Sequence, residues 1–343
     1  MIKKQEIKKE RVVVVCPGRG TYTKETLGYL KKFRPAFSEF LNVMDEKRAA
    51  LGMPTLSELD QEPVFKPQLH TKGEHASALI YACSYADFLN LDPEKYEVVA
   101  VTGNSMGWYS ALAIAGVLDV HGAFEVINTM GSMMKDEIIG GQMIYPLVND
   151  QWQMQPKAVK MVQESLKEAN EQPGCEAYLS IQLGGYAVIG GNQPAINFLL
   201  KKLPKIENYP FQLINHAAFH TPLLKQTSEK AMQILSKDLF HQPKIPLIDG
   251  RGHVWTEFAT SQEDIYNYTL DHQVVCQYDF TTAITVALKE FCPDRFILLG
   301  PGNTLGGAIG QIFVQNNWLQ MASKSDFTER QKENPFLISL GRP

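Results

Sequence analysis

The first apolar cluster in the chain is Val12-Val13-Val14-Val15-Cys16. An unbroken, largely β-branched run suits a strand covered on both faces, as in a parallel sheet. The turn-forming cluster Pro17-Gly18-Arg19-Gly20 ends it. A helix-like stretch over residues 24–45 and a polar, Pro-rich connection over 51–72 follow. Beyond Glu74, residues Ala78, Ala82, Tyr85, Ala86 and Leu89 recur at helical spacing, and Asp92-Pro93 stops the pattern. Residues 97–102 form a second buried-strand run, which enters Gly103-Asn104-Ser105-Met106-Gly107. A helix of small residues (108–115) and a further helix (122–135) come next. Strand, helices, strand, helix, helix predicts an open α/β sheet.

From Gly140 the pattern changes. A strand at 143–148 precedes an amphipathic helix at 156–170, with Pro156 near its start. Strands at 177–182 and 186–189 flank Gly184-Gly185 as a hairpin. Asn192 can cap a helix running to 202, and one more strand covers 210–214. The order βαββαβ is the ferredoxin-like unit. It predicts an insertion over 140–215, within an α/β domain made of residues 1–139 and 216–325. That domain resumes with a helix at 221–238, a strand at 245–248, helices at 263–270 and 279–291, and a strand at 295–299. Residues 326–343 read as a C-terminal tail.

A length of 343 residues with 44% hydrophobic content suits two domains, or one large domain with an insertion. Thirty-three basic and 37 acidic residues leave a net charge of -4, which disfavours nucleic acid as a partner. No apolar run approaches the length of a membrane span. The charged stretch Met1 to Arg11 lacks the form of a secretory signal. Five scattered cysteines (Cys16, Cys83, Cys175, Cys276, Cys292) without a CxxC pair read as reduced thiols in a cytoplasmic protein, with no zinc site. No other metal-ligand spacing appears, and Pro17-Gly18-Arg19-Gly20 lacks the Gly-Lys-Ser/Thr ending of a phosphate loop.

Gly103-Asn104-Ser105-Met106-Gly107 matches G-x-S-x-G between a buried strand and a helix of small residues. Glycines at its ends permit a sharp strand-to-helix turn. That turn lifts a serine to a helix N-terminus, where backbone N–H groups can stabilise an oxyanion. Ser105 is therefore a candidate nucleophile, the bland alternative being a tight turn without chemistry. A serine hydroxyl needs a base. Of the eight histidines, His216 and His220 stand out, because Asn215 to Leu224 follows a strand and precedes a helix that Pro222 can start. Spacing alone leaves both as candidates.

Four segments resemble the malonyl-CoA:acyl carrier protein transacylase family of fatty acid and polyketide synthesis. Cys16-Pro17-Gly18-Arg19-Gly20 resembles its F-P-G-Q-G, and Gly103 to Leu112 resembles G-H-S-L-G-E-Y-S-A-L. Ala218 to Leu223 resembles A-F-H-S-x-L, and Leu299 to Leu305 resembles x-G-P-G-x-x-L. They occur in the family's order between about residues 12 and 320. The resemblance implies an α/β-hydrolase-like open-sheet domain with an inserted ferredoxin-like subdomain, self-sufficient as a monomer. It implies Ser105 as nucleophile, His220 as base, Gln273 as the residue whose side chain or nearby backbone orients that base, and the N–H groups of Met106 and Arg19 as oxyanion hole. His216 has no counterpart and reads as a packed or surface histidine. The implied activity moves an acyl group from a CoA thioester to the phosphopantetheine thiol of an acyl carrier protein through an acyl-serine, with acyl-CoA as substrate and no tightly bound cofactor.

The substrate-reading positions depart from that pattern. Met130 stands where malonyl-type members carry an Arg that pairs with the free carboxylate. A thioether cannot neutralise a buried carboxylate, so Met130 favours an uncharged acyl chain. Asn104 replaces the His before the nucleophile, and Trp108 replaces the Glu after it; both are expected at the pocket mouth or floor. Arg19 replaces a Gln. It supplies the missing charge from the opposite wall, contacts phosphates of coenzyme A or of the carrier, or pairs with a nearby carboxylate. An acyl hydrolase on the same fold and a non-catalytic scaffold are the alternative functions. Lys201, Lys202 and Lys205 read as a carrier contact or as a solvated helix end.

Overall fold

A computed structural model describes residues 8–33 and 37–341. Strands β1 (Glu10–Cys16) and β2 (Tyr96–Gly103) pair in parallel, and Val12 to Cys16 are fully buried. In chain order the remaining strands are β3 (Gly141–Pro146), β4 (Ala177–Leu183), β5 (Tyr186–Gly191), β6 (Phe211–Gln212), β7 (Leu247–Ile248), β8 (Val254–Trp255), β9 (Tyr278–Asp279), β10 (Arg295–Leu298) and β11 (Leu337–Ser339).

The main sheet runs β11-β10-β1-β2-β7-β8, parallel except for the β7–β8 pair. Its centre is the all-valine segment, buried because helices cover both faces of a parallel sheet. Cys16 at the end of β1 lies opposite Gly103 at the end of β2. The loops that follow them therefore leave side by side from the carboxyl edge of the sheet, where open α/β sheets place their ligands.

The second sheet runs β6-β3-β5-β4-β9. Its first four strands are antiparallel, with the first and third of the βαββαβ unit at the centre. Helices Pro156–Asn170 and Gln193–Lys202 cover one face and enclose a separate small core around Met143, Tyr145, Ile189, Ile196 and Leu199. The Asn192 side chain caps the second helix by accepting from the Ala195 N–H at 3.1 Å. The other face turns toward the main domain. A fifth strand, β9, comes from outside the insertion and pairs in parallel with β4, so the two sheets are stitched together.

Three expectations are corrected. Residues 326–341 are not a tail: helix Lys324–Glu333 and β11 extend the main sheet beyond β10. Residues 24–45 are not one helix. Gly28 takes a left-handed φ of 84° between two short 3-10 turns, and the helix proper is Ser38–Ala50. The connection 51–72 contains short helices at Leu56–Asp60 and Pro67–His70. Helix Gly306–Gln315, whose Phe313 packs on Phe296 of β10, is an element the sequence pattern did not single out. Of the stretch Met1 to Arg11, residues 1–7 lie outside the described residues. Among the described residues no helix is long and apolar enough to cross a membrane.

Candidate active site

The G-x-S-x-G segment is a strand-to-helix elbow between β2 and the helix Gly107–Ile114. Ser105 has a φ of 55°, in the left-handed region that a non-glycine residue occupies only under constraint. The constraint is visible in its neighbours. A Cβ on Gly103 would collide with the backbone of Gly107, and one on Gly107 with the carbonyl oxygen of Cys16. The elbow closes through the Gly107 N–H donating to Asn104 O at 2.8 Å and the Trp108 N–H to Ser105 O at 3.0 Å. The Tyr278 hydroxyl donates to Gly103 O at 2.5 Å.

His220 approaches from the opposite side, also at positive φ (60°), with its N–H donating to Val274 O at 2.8 Å. Gln273 and Val274 lie in the last short turn of a helix, where carbonyls have no partner within the helix. The Gln273 carbonyl accepts from His220 Nδ1 at 2.5 Å. A carbonyl can only accept, so Nδ1 carries the proton and Nε2 of the neutral ring is an acceptor. Ser105 Oγ lies 2.7 Å from that Nε2 and donates to it. Gln273 also acts through its side chain, whose Nε2 donates to Ser105 O at 3.1 Å and whose Oε1 accepts from the Tyr109 hydroxyl at 3.1 Å. One residue thus braces both members of the pair. Tyr278 carried no signal in the sequence, and Tyr109 only its place in the elbow motif, since nothing in a buried tyrosine's spacing says where its hydroxyl will end.

Burial pulls the His220 imidazole down to about 4, against a smaller upward pull from the Gln273 carbonyl. A ring that is already neutral at pH 7 is ready to accept a proton. Reaction of Ser105 with a fluorophosphonate probe is therefore expected to keep its rate from neutral pH down to about pH 5, one unit above that value, and to fall as pH passes through about 4. Stopped labelling followed by intact-mass analysis reads it. A fall already near pH 6.5, the ordinary histidine value, would mean the ring is not enclosed in solution.

The pair opens into a cleft of about 490 Å³ between the main domain and the insertion. The backbone N–H groups of Met106 and Arg19 border it, and neither has a hydrogen-bond partner among the described residues. Asn104 also lines the cleft; its Oδ1 is buried without a partner. Met130 lines it and is 4% exposed. Trp108 does not: its indole is fully buried, donates to Thr269 Oγ1 at 3.0 Å and packs edge-on to Tyr268. The expectation that it lies at the mouth or floor is corrected, because the helix turns that position into the core. His216 is neither core nor free surface; it lines the cleft and its Nδ1 donates to Gln142 Oε1 at 3.1 Å. Lys201, Lys202 and Lys205 are exposed outside the cleft, and Lys202 pairs with Glu168 at 2.6 Å.

No residue cluster able to hold a metal ion occurs among the described residues. No family model matches the chain. Over 241 residues it is 24% identical to the malonyl CoA-acyl carrier protein transacylase of Bacillus subtilis, covering 68% of this chain and 71% of that protein. It is 23% identical to the protein of the same description from Haemophilus influenzae over 340 residues, covering 96% and 100%. Among solved structures, the malonyl-CoA:acyl carrier protein transacylase of Xanthomonas oryzae aligns with a TM-score of 0.71 at 22% identity, covering 89% of this chain and 92% of that one. A malonyl-transacylase solved in complex with a type II polyketide synthase acyl-carrier protein aligns at 0.70 and 19% identity, covering 96% and 95%. Both comparisons name the transacylases that the four motifs resemble, and the structures share the two-sheet fold.

Proposed function

We propose that the chain is an acyltransferase that moves an acyl group from a coenzyme A thioester to the phosphopantetheine thiol of an acyl carrier protein, through an acyl-serine at Ser105. The observation that carries this reading is the 2.7 Å contact of Ser105 Oγ with a His220 Nε2 whose tautomer a main-chain carbonyl dictates, at the mouth of an acyl-sized cleft. In the first step His220 Nε2 takes the hydroxyl proton as Oγ bonds to the thioester carbonyl carbon. The carbonyl oxygen becomes an oxyanion facing the free N–H groups of Met106 and Arg19, each worth about 3 kcal/mol in such a role. The C–S bond then breaks and the thiol leaves with the proton from His220. In the second step His220 takes the proton of the carrier thiol, sulfur attacks the acyl-serine, and the ester C–O bond breaks as Ser105 recovers its proton.

Gln273 is the positioning residue for both partners. Met130 puts no charge on the helix wall of the cleft, which taken alone favours an uncharged acyl chain; the charge that lines the cleft belongs to Arg19. No metal or redox group has a part in these steps.

Incubation with a panel of acyl-CoA thioesters and a phosphopantetheinylated carrier, followed by intact-mass analysis, tests the reading. An adduct on Ser105 that moves to the carrier is the expected result. Loss of the adduct to water faster than to carrier would make the chain a hydrolase instead. No adduct with any thioester, while a fluorophosphonate still labels Ser105, would leave a scaffold without this activity.

A further inference from the structure

The cleft has an imbalance of charge. Among the described residues that line it there is no Asp, Glu or Lys, and its two histidines, His216 and His220, are held neutral by burial, at about 3 and about 4. Arg19 is the one cation. Its guanidinium has no carboxylate within salt-bridge distance among the described residues. Nη2 donates to two main-chain oxygens instead, Asn215 O at 2.5 Å and Thr71 O at 3.4 Å, and Nε is buried with no partner. Glu74, Asp136 and Glu137 line a neighbouring hollow that Arg19 also borders, but none reaches salt-bridge distance. A buried guanidinium held only by main-chain carbonyls favours a ligand that brings a closer counter-charge.

The direction of the side chain says which part of a ligand that is. Its backbone sits beside the elbow, where a Cβ on the preceding Gly18 would come within 2.7 Å of Asn104 O. From there the guanidinium crosses to the contact between helices Gly73–Leu89 and Val120–Ser132. A Cβ on Gly73 would lie 3.5 Å from Arg19 Nη1 and 2.6 Å from the carbonyl oxygen of Gly131, the neighbour of Met130. The positive end thus lies near Gly131, which lines the cleft beside Met130. The pantetheine arm keeps the phosphates of coenzyme A far from its thioester, so the group that reaches this place is the far end of the acyl chain.

We propose that Arg19 is the specificity-determining residue of the cleft and binds a carboxylate at the end of a short acyl group, from the loop after β1 rather than from the helix that carries Met130. The inference rests on the acyl-transfer reading and reverses the preference that Met130 alone suggests. A planar guanidinium suits a carboxylate because two N–H groups can donate in parallel.

The test compares rates of Ser105 acylation by malonyl-CoA, acetyl-CoA and butyryl-CoA for the full chain and for Arg19→Gln and Arg19→Lys. The backbone N–H of residue 19 is kept in both variants. Wild type is expected to favour malonyl over acetyl more than tenfold, and Arg19→Gln to lower that ratio by roughly a hundredfold, the order set by loss of a charged hydrogen-bonded pair. Arg19→Lys should recover part of the ratio. If Arg19 only clips Asn215 and Thr71, all thioesters slow together and the ratio holds, which overturns the proposal. A wild-type preference for acetyl or butyryl overturns it too, while leaving acyl transfer in place. Failure of every thioester to load sinks both readings.

Discussion

Ser105→Ala is expected to abolish acyl-enzyme formation, and His220→Ala to slow it by about three to six orders of magnitude. The double variant should be no worse than Ser105→Ala alone. The two side chains act as one unit: at 2.7 Å the imidazole removes the proton whose loss makes the hydroxyl a nucleophile. Without either partner the other has nothing to do, so their effects do not add. Gln273→Ala should behave differently. The carbonyl that sets the His220 tautomer belongs to the main chain and survives the substitution. What is lost is the side-chain bridge from Tyr109 to the Ser105 carbonyl. That is two neutral hydrogen bonds at about 1 kcal/mol each, or roughly a thirtyfold loss if both serve only the transition state. Single-turnover acylation read by intact mass covers all four variants. A Gln273→Ala loss as large as that of His220→Ala would place the orienting role in the side chain instead.

Much of this site was legible because it rests on local chemistry. The elbow declares itself in Gly103 and Gly107, whose absent Cβ atoms the packing requires. The insertion declares itself in the Gly184-Gly185 hairpin and the Asn192 cap, signals read over a few residues. What failed was long-range or weakly patterned. Helix Lys324–Glu333 buries none of its residues and β11 has three, so neither left an apolar period to read. Trp108 was assigned by analogy with a position in a motif, but the turn of the helix carries that position inward to Thr269 and Tyr268. His216 and Arg19 lie almost 200 positions apart, and only the folded chain shows that both line one cleft. The lack of an ion pair is a three-dimensional fact: no spacing along the chain says that, among the described residues, no carboxylate will reach salt-bridge distance of Arg19.

Gly107→Ala should be strongly damaging for a change of one methyl group. The added carbon would overlap the carbonyl oxygen of Cys16 and lie 2.8 Å from that of Pro17. Both are main-chain atoms at the end of the central, fully buried strand, so neither can move without moving the sheet. Overpacking against a flexible side chain costs about 1–3 kcal/mol; against fixed backbone the cost should be at or above about 3 kcal/mol. Function should fall further than stability, because a shifted elbow carries Ser105 away from His220, and a misplacement of about 1 Å can cost a hundredfold. Gly307→Ala is the matched control. It lies in the helix Gly306–Gln315 with nothing within 4 Å of its Cβ position, so it should gain about 0.5–1 kcal/mol from helix propensity. Denaturant midpoints and Ser105 labelling rates, measured side by side, separate the two effects. Wild-type values for Gly107→Ala in both would mean that packing of the elbow against β1 is not what holds the serine in place.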